Sequence, residues 1–130
     1  MVHENYSAII IGSGLAGLYS AIKLSQVIQN GKILMITKCD IGESNSRYAQ
    51  GGIVGVLKEN EVDSVASHVS DTLNAGAGLS DFNVVKYISE MSNDVIHDLI
   101  NLGVPFDRDE NGNLLFTLEG AHSVRRILHC

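Results

Sequence analysis

The chain has 130 residues, of which 45% are hydrophobic and 18% are charged, and its formal net charge at pH 7 is −6. This composition suits one globular domain and excludes an intrinsically disordered chain. The negative charge and the 5% aromatic content argue against a general nucleic-acid binder, an anionic-membrane binder and a stacking surface for single strands.

The first predicted elements in chain order are a strand, a helix and a second strand. "YSAIIIGSG" contains the apolar run Ala8–Ile11, which is typical of a buried strand and ends at a glycine. Leu15, Leu18 and Ile22 follow at helical spacing, and "NGKILMIT" places a turn before a strand over Ile33–Thr37. Because such crossovers are right-handed, the two strands are predicted to be parallel.

The remaining predicted elements are mostly helical. "IVGVL" is a short strand candidate, and "DSVASHVSDTLNAGAG" predicts a helix capped by Asp63. "SDFNVVKYISEMSNDVIHDLINLG" predicts a long helix that ends at Gly103. Its apolar face is predicted to comprise Val84, Ile88, Val95, Leu99 and Leu102. Asn111-Gly112 between extended runs predicts a hairpin with a solvated acidic tip, so the fold class is α/β with a parallel sheet, inserted helices and a hairpin.

The two cysteines, Cys39 and Cys130, form neither a CxxC pair nor a zinc-binding spacing. We therefore expect two free thiols in a reducing compartment, with Cys39 as a small buried residue and no metal site. The initial "MVHENYS" has no signal-peptide character, and the longest apolar run, "AIII", is too short to span a membrane. These features predict a cytoplasmic location.

The strongest chemical motif is the G-x-G-x-x-G sequence Gly12-Ser13-Gly14-Leu15-Ala16-Gly17, between an apolar strand and a helix. In a dinucleotide site the first glycine permits a tight turn, the second lets the backbone approach a pyrophosphate, and the third lets helix and strand pack closely. The helix N-terminus then offers N–H groups to the phosphates. The motif predicts a dinucleotide site, with a tight structural turn as the alternative.

A Rossmann unit usually has an acidic residue at the end of its second strand, where it binds a ribose hydroxyl. Thr37 and Lys38 occupy that place in this chain, and the nearest acids, Asp40 and Glu43, come later. A threonine hydroxyl can still bind a ribose, and Lys38 can meet a phosphate. The missing acid therefore disfavours a generic NAD site but not a nucleotide site.

The segment "SNSRYAQGGIVG" follows the second strand directly, at the edge where ligands of such sheets bind. Ser44, Asn45 and Ser46 offer small hydrogen-bonding groups, and Gln50 offers an amide. The Gly51-Gly52 pair lets the backbone approach a flat ring. These residues leave two interpretations open, a loop that grips a long cofactor and an ordinary solvated surface loop.

A group of basic and imidazole side chains lies near the end of the chain: His122, Arg125, Arg126 and His129. These residues could bind a dicarboxylate or a cofactor, or they could form a solvated or ion-paired face. His68 and His97 are expected to be packing or surface residues.

Four segments together resemble the N-terminal part of the L-aspartate oxidase family: "AIIIGSGLAGL", "SNSRYAQGGI", "DTLNAGAGL" and "EGAHSVRRILH". The glycine motif is shared by many flavoproteins, and the Ser-Asn-Ser…Ala-Gln-Gly-Gly loop is typical of the succinate dehydrogenase and fumarate reductase flavoprotein superfamily. The last segment favours the aspartate oxidases within that superfamily. The family also has Ser or Thr followed by Lys after the second strand, as this chain has at Thr37 and Lys38.

The resemblance implies FAD as the cofactor, bound by a Rossmann-like FAD-binding domain. Within the glycine motif, Ser13, Gly14, Leu15 and Ala16 would line the pyrophosphate. Lys38 would lie at the adenosine side, and Glu119 would orient the substrate amino group, since a carboxylate suits an ammonium. The segment that would hold the flavin and its phosphates comprises Asn45, Ser46, Arg47, Tyr48, Ala49, Gln50, Gly51 and Gly52. For Tyr48, packing is an equal alternative.

The resemblance also implies an activity. The family oxidises L-aspartate to iminoaspartate and passes the electrons to oxygen or fumarate, as the first step of bacterial de novo NAD synthesis. Channelling of the product to the next enzyme of that synthesis is an interaction that the resemblance leaves open. No nucleic-acid or membrane partner is expected.

The family's catalytic arginine, substrate clamp, capping domain and C-terminal domain come later in a much longer chain. We therefore expect residues 1–130 to be the incomplete N-terminal portion of an FAD-binding domain, inactive by itself, and "RRILHC" resembles an element cut in its middle. Two alternatives stay open: a fumarate reductase or succinate dehydrogenase type of flavoprotein, and a non-catalytic FAD-binding fragment.

Overall fold

A computed structural model describes residues 4–49 and 51–130 of the chain. The chain forms two compact units, Met1–Gln50 and Gly51–Cys130, and each contains a short two-stranded sheet. Among the described residues, no helix combines the length and the apolar character that crossing a membrane requires.

Both cysteines are free thiols, as predicted. Cys39 is exposed, however, so its prediction as a buried residue is wrong.

The first unit contains the predicted strand–helix–strand element. Strand β1 (Ala8–Ile11) and strand β2 (Ile33–Ile36) pair in parallel, and helix α1 (Leu15–Val27) connects them. The parallel pairing that the crossover rule predicts is therefore confirmed. A short helix α2 (Asn45–Tyr48) follows β2.

The apolar residues of this first unit are more exposed than their pattern predicts. Ile9 and Ile11 of β1 are 58% and 84% exposed, and Leu15 and Ile22 of α1 are also exposed. The described sheet of this unit has two strands, so few neighbours can cover its faces. An apolar run predicts the strand itself, whereas burial depends on what packs against it.

The second unit consists of strand β3 (Ile53–Val54), helix α3 (Val65–Ala75), helix α4 (Phe82–Asn101) and strand β4 (Ile127–Leu128). The two strands pair antiparallel, so β4 returns to the beginning of the unit. The core of the unit comprises Leu57, Ile96, Phe106 and Leu128.

The N-cap of helix α3 lies one residue later than predicted. Ser64 is the N-cap, and its hydroxyl accepts the N–H of Ser67 at 3.1 Å. The carboxylate of Asp63, the predicted cap, instead accepts hydrogen bonds from Ser64 N–H and from Arg126. Both residue types favour the N-cap position, and in this chain the Asp63 carboxylate pairs with Arg126 while Ser64 caps the helix.

Helix α4 has the predicted extent, but its buried face matches the prediction only in part. It ends at the predicted glycine: Gly103 has φ +94° and donates its N–H to the Ile100 carbonyl at 2.9 Å. Leu99 of the predicted face packs against the core. Val84 and Ile88 of that face are 54% and 58% exposed, whereas Ile96, which was not predicted, is 1% exposed.

Two buried serines belong to the part of the buried face of α4 that the apolar pattern did not predict. Ser89 and Ser92 are buried beside Ile96, and their hydroxyls donate to the carbonyls of Val85 and Ser89. Ser92 Oγ also accepts the Val56 N–H at 2.9 Å. Small polar residues can be buried when their hydrogen bonds are satisfied, and hydrophobic periodicity does not register them.

The predicted hairpin at Asn111-Gly112 is confirmed by an antiparallel bridge between Arg108 and Leu114. Gly112 has φ +84°, in the region that favours glycine. Asp109 organises the turn, since its carboxylate accepts the backbone N–H of Asn113 at 2.8 Å and the side-chain amide of Asn113 at 3.0 Å. These hydrogen bonds lower the pKa of Asp109.

Candidate functional site

The glycine loop (residues 12–17) between β1 and α1 makes a tight turn with close packing. Gly12 has φ +103°, and its N–H donates to the Ile36 carbonyl at 2.8 Å. A Cβ on Gly17 would overlap the Gly12 carbonyl oxygen and would lie 3.4 Å from Ile10 Cγ2. Any side chain at Gly17 would therefore force α1 away from the loop.

The segment after β2 lies directly on this glycine loop. A Cβ on Gly14 would lie 3.3 Å from Ser46 Oγ and 3.7 Å from Ser44 Cβ. Ser46 Oγ accepts the N–H of Leu15 at 3.1 Å. The structure thus brings Ser46 of the second predicted segment onto Gly14 and Leu15 of the glycine loop.

The side chain of Ser13 joins the glycine loop to the end of β2. It is 3% exposed, and its hydroxyl donates to Thr37 Oγ1 and accepts the N–H of Gly42, both at 3.1 Å. Thr37 stands where an acid is usual, and it uses its hydroxyl within the protein. Lys38, the next residue, is exposed.

The N-terminus of α1 has the electrostatic character that an anion requires. The helix has 13 residues, its N-cap Gly14 makes no side-chain cap hydrogen bond, and its first turn contains no acidic residue. Leu15 and Ala16 of that turn are exposed. Backbone N–H groups, small hydroxyls and the positive end of the helix dipole are the donors that a pyrophosphate accepts, so these residues fit that group.

Two predicted cofactor residues on α2 bind Glu43, a residue outside the predicted site. Arg47 NH1 lies 3.5 Å from Glu43 Oε2, and the Tyr48 hydroxyl donates to Glu43 Oε1 at 2.5 Å. This hydrogen bond raises the pKa of Tyr48. Asn45 and Ala49 are exposed, and the predicted residue Gln50 lies outside the described residues.

Gly51 and Gly52 belong to the second unit and lead into β3. Gly51 has φ +115°, a conformation that favours glycine. A Cβ on Gly52 would overlap the Ile127 side chain and would lie 2.5 Å from the Leu128 carbonyl oxygen. Within this unit the Gly52 backbone therefore packs directly against β4.

Glu119 lies on the loop over residues 118–125, called the Glu119 loop. Oε1 of Glu119 is 3.1 Å from Nε2 of His129. The same nitrogen is 3.0 Å from Thr117 Oγ1. The Glu119 side chain is 47% exposed and the His129 side chain is 33% exposed. The carboxylate is thus held by an imidazole on one side and stays accessible.

Arg126 is the centre of a buried polar cluster. Its guanidinium is 0% exposed and binds Asp63 at 2.8 and 2.9 Å and Asp71 at 2.6 Å. It also lies 3.5 Å from His68 Nδ1 and 3.2 Å from His122 Nδ1. Because a guanidinium only donates, both imidazole nitrogens accept. Of the two interpretations for this residue, ion pairing is confirmed, but the pair is buried rather than solvated.

The remaining imidazoles occupy different environments. His68 is buried, and burial, followed by the nearby Arg126 charge, lowers its pKa. His97 lies at the surface and forms an ion pair with Glu59 at 3.0 Å. Arg125 is exposed. Of His68, His97 and Arg125, His68 alone belongs to the Arg126 cluster.

Sequence motifs do not reveal Glu43, Asp63 and Asp71 as partners of the candidate residues. Asp71 and Asp63 lie 55 and 63 positions from Arg126. No local spacing can signal these two pairs, because only the fold brings their elements together. The pair of Glu43 and Arg47 has i,i+4 spacing, which is a local signal. For the Arg126 pairs, two basic residues in an otherwise apolar terminal segment are the one available hint, since buried cations require acidic partners.

The family model of the FAD binding domain matches residues 7–130. Among curated proteins, an L-aspartate oxidase of Vibrio cholerae is 45% identical over 126 residues, covering 93% of this chain and 23% of that protein. A chloroplastic L-aspartate oxidase of Arabidopsis thaliana is 44% identical over 124 residues, covering 95% of this chain and 18% of that protein.

Solved structures agree at the level of the fold. Quinol fumarate reductase FrdA of E. coli, in a mutant form, matches with a TM-score of 0.87 and 29% identity, covering 95% of this chain and 21% of that chain. The Sdh1 complex of Mycobacterium smegmatis matches with a TM-score of 0.87 and 26% identity over the same shares. The chain spans about a fifth of the length of the curated relatives it matches. Because the family model covers almost the whole sequence, the chain belongs to the FAD-binding domain family, with FAD as its cofactor and L-aspartate oxidases among its relatives.

Proposed function

We propose that the chain is the N-terminal part of the FAD-binding domain of an L-aspartate oxidase. Such an enzyme oxidises L-aspartate to iminoaspartate and passes the electrons to oxygen or fumarate, as the first step of de novo NAD synthesis. The observation that carries the proposal is the identity of 40–45% to named L-aspartate oxidases over more than nine-tenths of the chain. Identity to the matching FrdA and Sdh1 structures is lower, at 26–29%.

The pyrophosphate of FAD is proposed to lie on the glycine loop. A Cβ at Gly12 would meet no atom within 4 Å, so the bare backbone there leaves room for the phosphates, and Gly17 keeps the end of α1 close to the loop. The bare backbone at Gly14 instead lets Ser44 and Ser46 approach the loop. The N–H group of Ala16 and the positive end of α1 stabilise the negative charge, while the N–H of Leu15 is bound by Ser46 Oγ. When bound, FAD accepts the two electrons that leave the substrate.

The flavin and its phosphates are proposed to be held by the segment Asn45–Gly52, with Lys38 at the adenosine side. The hydroxyl of Ser46 already lies at the N-terminus of α1, which supports a role for this segment in the same site. Glu43 fixes the side chains of Arg47 and Tyr48 through its two carboxylate oxygens. Its proposed contribution is therefore to hold these two residues in place.

Glu119 is proposed to bind the amino group of L-aspartate. The carboxylate is accessible, and an ammonium group forms a charge-assisted hydrogen bond with it. His129 donates from the other side and limits the rotation of the carboxylate. Holding the ammonium in one place orients the substrate for oxidation.

Oxidation also needs cations that hold the two substrate carboxylates and a base that receives a proton. We propose that these groups belong to capping and C-terminal domains outside residues 1–130. The chain by itself is then expected to bind FAD without oxidising aspartate.

We further propose a cytoplasmic location, in line with the two free thiols. Small molecules are proposed to be the principal partners.

A fumarate reductase type of flavoprotein is the second candidate, because the FrdA structure matches with a TM-score of 0.87. The test uses the native holoenzyme, expressed from its own gene, mixed without oxygen with L-aspartate or with succinate. Reduction of the bound FAD by L-aspartate alone supports the proposal. Reduction by succinate alone supports the second candidate, and reduction by neither indicates a non-catalytic FAD-binding protein.

The role of Glu119 is tested in the same assay with Glu119→Gln, which removes the charge and keeps the size. Loss of a hydrogen bond to a charged group is expected to raise the KM for L-aspartate about 10- to 100-fold. Glu110→Gln, on the exposed hairpin tip, is the matched control. Equal KM values in the two variants would argue against the assignment of Glu119.

A further inference from the structure

The Glu119 loop is held in a strained conformation. It closes between Thr117 and Ile127, which form an antiparallel bridge. Within the loop, Ala121 has φ +67°, in the left-handed region that non-glycine residues rarely adopt. The N–H of His122 donates to the Glu119 carbonyl at 3.3 Å across this residue. Such a conformation persists only where the surrounding structure imposes it.

Asp71 on α3 supplies the restraint. Its Oδ2 accepts the Ser123 N–H at 2.9 Å, the Ser123 hydroxyl at 2.8 Å and the Arg126 guanidinium at 2.6 Å. Arg126 in turn donates to His122 Nδ1 at 3.2 Å. One carboxylate oxygen therefore anchors the loop just beyond Ala121, on the opposite side from Glu119.

The Asp71 carboxylate that anchors the loop is charged, and its Oδ2 accepts three hydrogen bonds. The backbone hydrogen bond from Ser123, followed by the one from Arg126, lowers the pKa of Asp71 to about 2, so the carboxylate is ionised at neutral pH. Hydrogen bonds to an ionised carboxylate are shorter and roughly twice as strong as neutral ones. Ser67 Oγ lies 3.2 Å from Ser123 Oγ and adds a further contact from α3.

We propose that Asp71 is a positioning residue for substrate binding: by holding Ser123 it fixes the strained Glu119 loop, and with it the place of the Glu119 carboxylate. This inference rests on the proposed function, because that function assigns the substrate ammonium to Glu119. Asp71 itself does not touch the substrate and acts only through the loop.

The test compares Asp71→Asn with Asp94→Asn, the same change at an exposed position of α4, in the native holoenzyme. Asp71→Asn keeps the size of the side chain but replaces the ionised acceptor with an amide. We expect hydrogen exchange of the amides at 119–123 to become at least ~10-fold faster. We also expect the KM for L-aspartate to rise about 10- to 100-fold, with a much smaller change in kcat.

Ser123→Ala is the second variant, because it removes one of the three hydrogen bonds and keeps the other two. It should raise KM in the same direction by a smaller factor. FAD affinity should stay unchanged in every variant, since the contacts described for the glycine loop do not include Asp71. A general loss of folding would lower FAD affinity as well, so this measurement separates positioning from damage to the fold.

Each outcome has a distinct meaning. Unchanged exchange in Asp71→Asn overturns the anchoring of the loop. Faster exchange with an unchanged KM overturns the link from the loop to substrate binding. If the unsubstituted holoenzyme shows no aspartate-dependent reduction of FAD, the proposed function fails together with the substrate role of Glu119, while the exchange rates still decide whether Asp71 anchors the loop.

Discussion

Arg126 and Asp63 form a two-point ion pair in which neither side chain has exposed surface. Nε lies 2.9 Å from Oδ2, and NH2 lies 2.8 Å from Oδ1. The pair connects the start of α3 with β4, although the residues are 63 positions apart. Arg126→Ala leaves a buried carboxylate without its cation, so we expect the free energy of unfolding to fall by about 3–5 kcal/mol, as measured in urea.

The neighbouring Arg125 provides the control for this prediction, because its side chain is exposed. Arg125→Ala should change the free energy of unfolding by less than about 0.5 kcal/mol. A similarly small effect at Arg126 would contradict the buried ion pair.

The acid stability of the chain should depend on Asp71. Its pKa in the folded state is about 2, below the ordinary value of 3.8. A lowered carboxyl pKa stabilises the folded state fully above about pH 4, and that stabilisation is lost as the pH falls from about 4 toward 2. Asp71→Asn should flatten this part of the stability profile, measured as urea unfolding at a series of pH values, and Asp94→Asn should leave it unchanged.

His68 should make the chain less stable in mild acid. Burial and the charge of Arg126 lower its pKa below the ordinary 6.5, so the unfolded chain binds the proton more readily. Stability should therefore decrease as the pH falls below 6.5 toward the lowered pKa. His68→Gln should reduce this slope, again measured by urea unfolding. A slope that persists in the variant would place its origin in another group.

Gly17 should not tolerate even a methyl group. An alanine in a helix is usually favourable by about 1 kcal/mol relative to glycine. At Gly17, however, the added Cβ would overlap the Gly12 carbonyl oxygen, so we expect Gly17→Ala to destabilise the chain by about 1–3 kcal/mol and to weaken FAD binding.

Thermal unfolding and a fluorescence titration with FAD measure both effects. Gly120→Ala is the control, because a Cβ at Gly120 meets no atom within 4 Å. A stabilising Gly17→Ala would show that the close approach of α1 to the glycine loop is not required.

Local signals in the sequence predicted most of the helices and strands, but not the short helix α2 or strand β4. The apolar runs and the glycine between them predicted β1, α1 and β2, and the crossover rule predicted their parallel pairing. Gly103 marked the end of α4, and Asn111-Gly112 marked the hairpin. The elements and their ends depend on residues within a few positions of one another, where backbone sterics and hydrogen bonding act directly. The pairing of β1 with β2 joins distant residues and follows instead from the general handedness of such crossovers.

The sequence by itself therefore determined most of the elements, the glycine loop and the family. Only the tertiary structure decided which face of α4 is buried, that Ser64 rather than Asp63 caps α3, and that Arg126 pairs with two acids inside the second unit. The contact between Ser46 and the N-terminus of α1 likewise joins residues 31 positions apart. Burial and ion pairing depend on which residues distant in the sequence come into contact, and local spacing carries no information about those contacts.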